Sequence, residues 1–361
     1  MRTHPAGSHQ ENIGMNIAIT GSSGTIGGRV ARELSRQGFP LTLLLRSPDK
    51  APALPHTTVR ACHYADYDAS RQALTGIDLL FMVSASESAT RGEEHRSFVR
   101  AARDAGVGHI VYLSFANARP DSTFTLARTH ADTEQAIRDS GMAYTFLRDN
   151  FYTEIMLELA DAHGVIRGPA GNGRVACVSQ RDVADAAVRV LMDLAQSNHR
   201  PVAAHRGQAA AGNHAADDDA TDSGTPRDDD AVAVGTSGAP ARARHGSPAS
   251  AAHASNQPGK PHLNRTYTLT GPQSLNMAEV ATELTRATGK PHRFHHESID
   301  EAYASRRAGW PAAQDWELDA WVSTYTAIAQ GELAEMTDDL PRLLERPPLT
   351  LPLTLALAQK P

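Results

Sequence analysis

The stretch from Asn16 to Gly28, NIAITGSSGTIGG, constrains this chain more than any other. An apolar run, Ile17 to Ile19, breaks into glycines at 21, 24 and 27, and helical spacing resumes at Gly28-Arg-Val-Ala-Arg-Glu-Leu34. The pattern reads as strand, tight turn, helix. Such a turn leaves backbone N–H groups unpaired at the positive end of a helix, which suits the pyrophosphate of a dinucleotide. Gly21 permits the turn, Gly24 lets phosphate approach the backbone, and Gly27 lets helix and strand pack closely. Ser22, Ser23, Thr25 and Ile26 complete the loop expected to hold the cofactor.

Further apolar runs recur at the spacing of a β-α-β chain. Leu41 to Leu45 predicts a second strand, and Arg46 follows it where NAD-preferring sites usually carry an acid. A guanidinium there can fork onto a 2′-phosphate, which favours NADP(H) and leaves NAD(H) open. Val59 to His63 predicts a third strand; Asp66 beyond it could accept from the adenine amino group or cap the next helix. Ile77 to Val83 predicts a fourth strand, buried on both faces, and its exit loop with Ser84 and Ser86 should line the cofactor. Helices are expected over Glu93 to Ala105 and Leu126 to Ser140, with strands at His109 to Leu113 and Gly141 to Leu147. The hydroxyl of Ser114, at a strand end, should face nicotinamide and substrate. His130 and Glu134 stand one helical turn apart, on one face. Six apolar strands alternating with helices specify an α/β, Rossmann-type doubly wound parallel sheet.

After residue 160 the pattern loosens. Short strands are expected near Val165 and over Arg174 to Val178, and a helix over Arg181 to Leu194. From Gln196 to His262 the chain is Ala, Gly, Pro, Asp, His and Ser with almost no large apolar side chains. Such a segment cannot offset its ordering entropy, so residues 196–262 are expected to be a disordered insertion. Its histidines and aspartates lack ligand spacing, and no metal is expected. Thr266 to Thr270 predicts a strand that rejoins the main sheet. Helices near 276–289, 298–309 and 316–331 suggest a small, mainly helical C-terminal lobe over residues 263–361, with Trp310, Trp316 and Trp321 expected in its core. The remaining boundaries are an N-terminal extension, 1–14, read as disordered, and a nucleotide-binding domain, 15–195.

A formal charge of −6 gives no reason to expect nucleic acid. The two cysteines, Cys62 and Cys177, cannot build a disulfide framework. No apolar run approaches the roughly 18 residues of a membrane span, and Met1 to Gly14 has no signal-peptide core, so a cytoplasmic location is the default.

With the strands placed, the chain resembles the atypical short-chain dehydrogenase/reductase branch: NmrA-like proteins and, more closely, type 2 NAD(P)H:quinone oxidoreductases and triphenylmethane reductases. The residues that carry this are Thr20-Gly-Ser-Ser-Gly-Thr-Ile-Gly27, Arg46, Ala65-Asp-Tyr67, Thr129-His-Ala-Asp-Thr-Glu134, Tyr144 to Glu154, Gly331-Glu-Leu-Ala and Thr337-Asp-Asp339. The resemblance implies that Asn150 and Phe151 flank the nicotinamide. It also sets off a departure: ordinary short-chain dehydrogenases pair a tyrosine acid with a lysine four residues on, and here Leu126 and His130 stand at those places. Leucine cannot donate a proton. The resemblance points instead to NAD(P)H-dependent hydride transfer to a quinone or dye-like acceptor. His130 would be proton donor, ribose contact or a surface partner of Glu134, and Phe115, Phe124, Phe151 and Tyr152 would be walls for a small flat aromatic acceptor. A non-enzymatic NADP-binding redox sensor acting through a protein partner is the alternative, and a homodimer stays open.

Overall fold

The computed structural model describes residues 15–197 and 261–358. The extension 1–14 and nearly all of the expected insertion lie outside the described residues. The insertion's flanks are trimmed: the helix before it runs to Ser197, and His262 is buried, with Nε2 3.1 Å from Asp193 Oδ2 and Nδ1 2.8 Å from the Tyr267 hydroxyl.

Strands β1 (Ile17–Thr20), β2 (Leu41–Leu45), β3 (Thr57–Ala61), β4 (Leu79–Met82), β5 (His109–Phe115) and β6 (Ala143–Asp149) form a parallel sheet. After two short strands, β7 (Val165–Gly168) and β8 (Arg174–Val175), the chain returns as β9 (Arg265–Leu269), which pairs in parallel with β6. The order is β3-β2-β1-β4-β5-β6-β9. Every residue of β1, β2, β4 and β5 is buried, as continuous apolar strands covered on both faces must be. The edge strand β3, Thr-Thr-Val-Arg-Ala, is the exposed one.

Helices α1 (Thr25–Arg36), α2 (Tyr67–Ala73), α3 (Arg91–Asp104), α4 (Thr125–Asp139), α5 (Thr153–Glu158) and α6 (Gln180–Ser197) follow the strands. α1 and α6 pack together through Val30, Leu34, Val183 and Leu191 on one face; Phe98, Val99 and Ile137 of α3 and α4 fill the other. Several ends shift from the sequence expectation for local reasons. Ile77 N bonds back to Leu74 O and closes a turn, so the fourth strand begins only at Leu79. Gly141 takes φ +79° at the exit of α4 and delays β6 to Ala143.

The C-terminal part comprises β10 (Leu275–Asn276), α7 (Met277–Thr288), β11 (Arg293–His296), α8 (Ile299–Gly309), α9 (Asp315–Ala329), α10 (Asp339–Leu344) and α11 (Leu351–Ala358). Reciprocal side-chain caps start α7 (Asn276 with Glu279) and α8 (Ser298 with Glu301). β10 pairs with β8 and β11 with β7, so the loose stretch after residue 160 belongs structurally to this part. The tail docks: Arg346 bridges Asp182 at 2.7 Å and Asp185 at 3.0 Å, and Leu349 N donates to Asp182. The tryptophans are not core. Trp310, just past the end of α8, is 60% exposed and stands 5.4 Å from the half-buried Trp321 beside a cavity of about 590 Å³.

Candidate active site

A groove of about 530 Å³ opens over the carboxyl ends of β1, β2 and β4, where the strand order reverses between β1 and β4. Open α/β sheets bind ligands at such a switch point. Gly21, Ser23 and Gly24 line one end, Arg46 the second, and the Ser84–Ser88 loop the third side. Gly21 has φ +65°, and Gly24 N bonds to Gly21 O at 2.9 Å to close the turn. A Cβ on Gly27 would lie 2.4 Å from Gly21 O, so a side chain there would wedge α1 off the turn. Ser22 is turned inward with its Oγ buried and unpartnered, Ile26 sits in the core, and Thr25 is exposed at the first turn of α1. Arg46 is exposed and pairs with no carboxylate among the described residues. Asp66 lies outside the groove lining and accepts from Ala69 N at 3.0 Å, so its carboxylate caps α2.

Two residues that the sequence left unmarked, Tyr64 on the groove wall and the buried His95 behind it, hold the groove in shape. Tyr64 Oη lies 2.8 Å from Thr20 Oγ1 and 2.7 Å from Val83 O, and Thr20 Oγ1 accepts from Val83 N, which ties β1 to β4 at their carboxyl ends. His95 Nε2 accepts from Ala85 N at 2.9 Å, so its Nδ1 carries the proton and donates to Thr133 Oγ1 at 2.8 Å. This buried imidazole pins the Ser84 loop. Burial and then the Arg91 charge hold it neutral, with its pKa down to about 3.

Behind the loop the sequence expectations need correcting. Ser114 does not face the groove: it is fully buried, and its hydroxyl donates to Glu134 Oε1 at 2.7 Å. Glu134 is not a surface partner of His130. Arg148 forks onto it with bonds of 2.7 and 2.6 Å, and Arg138 adds a third at 3.0 Å. A fully buried carboxylate survives because these donors replace its water. His130 is buried too. Its Nδ1 lies 3.0 Å from the Tyr112 hydroxyl, and burial, then Arg91, His95 and Arg148, hold its pKa well below the usual imidazole value. The imidazolium form that a simple proton donor would need is thus disfavoured. Arg91 is 4% exposed, donates to Leu126 O and Thr129 Oγ1, and has no carboxylate within bonding reach among the described residues.

The aromatic walls separate into two groups. Phe115, Phe124 and Phe151 form a triangle with ring centres 5.1 to 5.3 Å apart, and Phe115 lies 6.0 Å from the His130 ring. Phe115 and Phe124 are mostly buried, while Phe151 is half-buried. Tyr152 points elsewhere, against the α1/α6 core, with its hydroxyl on Asp149. Asn150 is 1% exposed and both ends of its amide are engaged, donating to Leu333 O at 3.1 Å and accepting from Phe151 N at 2.8 Å. It positions Phe151 and locks the strand end to the C-terminal part. The Leu333 partner is 183 residues away, within the Gly331-Glu-Leu-Ala segment, and spacing alone did not pair the two.

Comparison with known proteins agrees with this fold. The sequence profile of an NAD(P)H-binding family matches residues 21–194. Quinone oxidoreductase 2 of Escherichia coli strain K12 is 29% identical over 343 residues, 93% of this chain and 96% of the relative. Among solved structures, the NADPH complex of an NADPH-dependent quinone oxidoreductase from E. coli superposes with a TM-score of 0.70 at 27% identity, covering 95% of this chain and all of that one. The NADP(H) complex of the Citrobacter sp. triphenylmethane reductase superposes with a TM-score of 0.68 at 25% identity, covering 95% of this chain and all of that one.

Proposed function

We propose that the chain, whose residues 21–194 match an NAD(P)H-binding family, is an NADPH-dependent reductase of quinones or related flat aromatic acceptors. The observation that carries the cofactor half is the groove at the sheet's switch point, with a glycine turn at one end and an unpaired guanidinium at the other. The turn and the N-terminus of α1, which no side chain caps, would hold the pyrophosphate. Arg46 would fork onto the 2′-phosphate, and Ser84 and Ser86 would lie along the ribose, on a loop that His95 keeps in place. A bound reduced nicotinamide supplies a hydride.

The acceptor half rests on Phe151, half-buried just past β6 and backed by the buried rings of Phe115 and Phe124, as the aromatic wall for a flat ring. Asn150 contributes by fixing Phe151 and not by direct contact with the cofactor. With Leu126 and His130 in place of a tyrosine and lysine, the chain accelerates the reaction chiefly by holding donor and acceptor in register, which can supply up to roughly 7–11 kcal/mol. Purified protein should oxidise NADPH in the presence of simple quinones, read at the nicotinamide absorbance band. No oxidation above the blank with any quinone or triarylmethane acceptor would reject the proposal.

A further inference from the structure

His130 poses a chemical problem that its surroundings solve. Burial first, and then the charges of Arg91 and Arg148, keep the ring neutral. A neutral imidazole cannot surrender its N–H alone, because the imidazolate left behind is far too basic; it can pass a proton only if the other nitrogen gains one at the same time. Nδ1 lies 3.0 Å from the Tyr112 hydroxyl; with Nδ1 as the acceptor of that bond, the ring's own proton sits on Nε2. Nε2 makes no hydrogen bond among the described residues, and the His130 ring stands 6.0 Å from that of Phe115. Beyond Tyr112 the chain of hydroxyls continues. Ser84 Oγ is 3.2 Å from Tyr112 Oη and 3.2 Å from Leu113 O, and Ser84 is half-buried on the wall of the cofactor groove.

We propose that Tyr112 is a relay residue: it hands a proton to His130 Nδ1 as His130 Nε2 hands one to an oxygen of the acceptor. The inference rests on the quinone reading above. As hydride from the reduced nicotinamide arrives, the acceptor's C=O π bond breaks and its oxygen takes the Nε2 proton. The Nε2–H bond breaks as Nδ1–H forms, and the Tyr112 O–H bond breaks as Ser84, turning its hydroxyl from Leu113 O, supplies its proton in turn. Ser84 recovers one from water in the groove. The nicotinamide is oxidised, the acceptor is reduced, and one solvent proton is consumed. Arg91 favours negative charge on the Tyr112 oxygen, which burial otherwise opposes with a pKa pushed up to about 12. A hydroxyl therefore reaches the site from strand β5 although the position on α4 carries Leu126.

Tyr112→Phe removes one hydroxyl and keeps the ring. Two measurements test the relay. The first needs no cofactor: imidazole 15N spectra of the unliganded full chain, with the His130 signals assigned by their loss in His130→Gln. The wild type should show His130 as the neutral Nε2–H tautomer, and Tyr112→Phe should shift the Nδ1 resonance toward that of a free acceptor. An unchanged Nδ1 resonance overturns the proposal. The second compares a quinone, whose oxygen must be protonated, with a triarylmethyl cation, which takes hydride on carbon and needs no proton. General acids contribute roughly 10²–10⁴-fold, so the quinone-to-cation ratio of kcat should fall at least tenfold in Tyr112→Phe. An unchanged ratio with active wild type overturns the relay alone. Failure of the wild type to reduce either acceptor overturns the functional reading and the relay with it.

Discussion

Lowering the pH from 6.5 to 5 should destabilise this protein, and the structure gives the size of the effect. Burial depresses the pKa of His95 to about 3 and of His109 to about 4, against 6.5 for an ordinary imidazole. In this window the unfolded chain binds protons that the folded chain refuses, so stability is whole above about pH 6.5 and is lost as the pH falls. Each group costs about 1.4 kcal/mol per pH unit, hence about 2 kcal/mol at pH 5, or roughly 4 kcal/mol for the pair. His130 and His262 are shifted in the same direction. Asp149 opposes them. Burial raises it to about 8, so between pH 3.8 and 8 the folded chain keeps a proton that the unfolded chain has released, and acidification over the same 1.5 units returns about 2 kcal/mol. The imidazoles win by at least about 2 kcal/mol, a large part of a typical 5–15 kcal/mol stability. At roughly 2–4 °C per kcal/mol, Tm should fall by about 4–8 °C or more.

Calorimetry or thermal melts of the wild type, His95→Gln and Asp149→Asn at both pH values separate the contributions. The comparison uses the change in stability between the two pH values, so a constant cost of either substitution cancels. His95→Gln should reduce the acid loss by about 2 kcal/mol, and Asp149→Asn should increase it by a similar amount. Equal acid losses in the wild type and His95→Gln, or a smaller loss in Asp149→Asn, would refute the assignment of neutral buried imidazoles and a protonated Asp149.

Three further substitutions probe the groove and the polar core behind it. Arg46→Ala should weaken NADPH by roughly 10- to 100-fold, as expected for a lost charge-assisted bond, and leave NADH nearly unchanged in titration calorimetry; equal losses would show that Arg46 does not read the 2′-phosphate. Glu134→Ala should cost roughly 3–5 kcal/mol in denaturant melts, since it strands Arg148 and Arg138 without their shared acceptor; a loss under 1 kcal/mol would mean the cluster is solvated. Gly27→Ala puts a Cβ 2.4 Å from Gly21 O, and should cost about 1–3 kcal/mol and abolish cofactor binding by opening the turn; unimpaired binding would show that the turn can give.

What could be read from the sequence was what repeats locally. Continuous apolar runs identified the strands of the parallel sheet, and the glycine spacing located the turn, because both depend on neighbours within a dozen residues. Thr266 to Thr270 was legible as a returning strand for the same reason, and it does pair with β6. The side chains behind the groove were not legible. Glu134 and His130 share a helix face by spacing, yet Glu134 turns to Arg148 on β6 and His130 to Tyr112 on β5. Which neighbour a helical side chain finds is set by the strand beneath it, and periodicity cannot show that register. Asp66 carried two readings, and the geometry of the next helix decides for the cap.

The same limit bears on the missing tyrosine. A sequence comparison confined to α4 sees Leu126 and His130 and concludes that no hydroxyl serves the site. Register adds what spacing omits: the Leu113–Leu147 and Tyr112–Phe146 pairings of β5 with β6 fix the height at which Tyr112 emerges, and α4 packs over that strand so that His130 meets it. Arg91, from α3, bonds the Leu126 carbonyl and the Thr129 hydroxyl, so the position vacated on α4 anchors a charge through its backbone. That charge bears on both His130 and Tyr112, opposing a proton on one and favouring its loss from the other. The proposed relay, a proton held on tyrosine and routed through a neutral imidazole, draws on these three elements together. Removing the charge tests their interdependence: Arg91→Met should raise the pKa of His130 toward its ordinary value in the 15N titration of the unliganded chain. A His130 that stays neutral to the same low pH would show that burial alone sets the relay's protonation state.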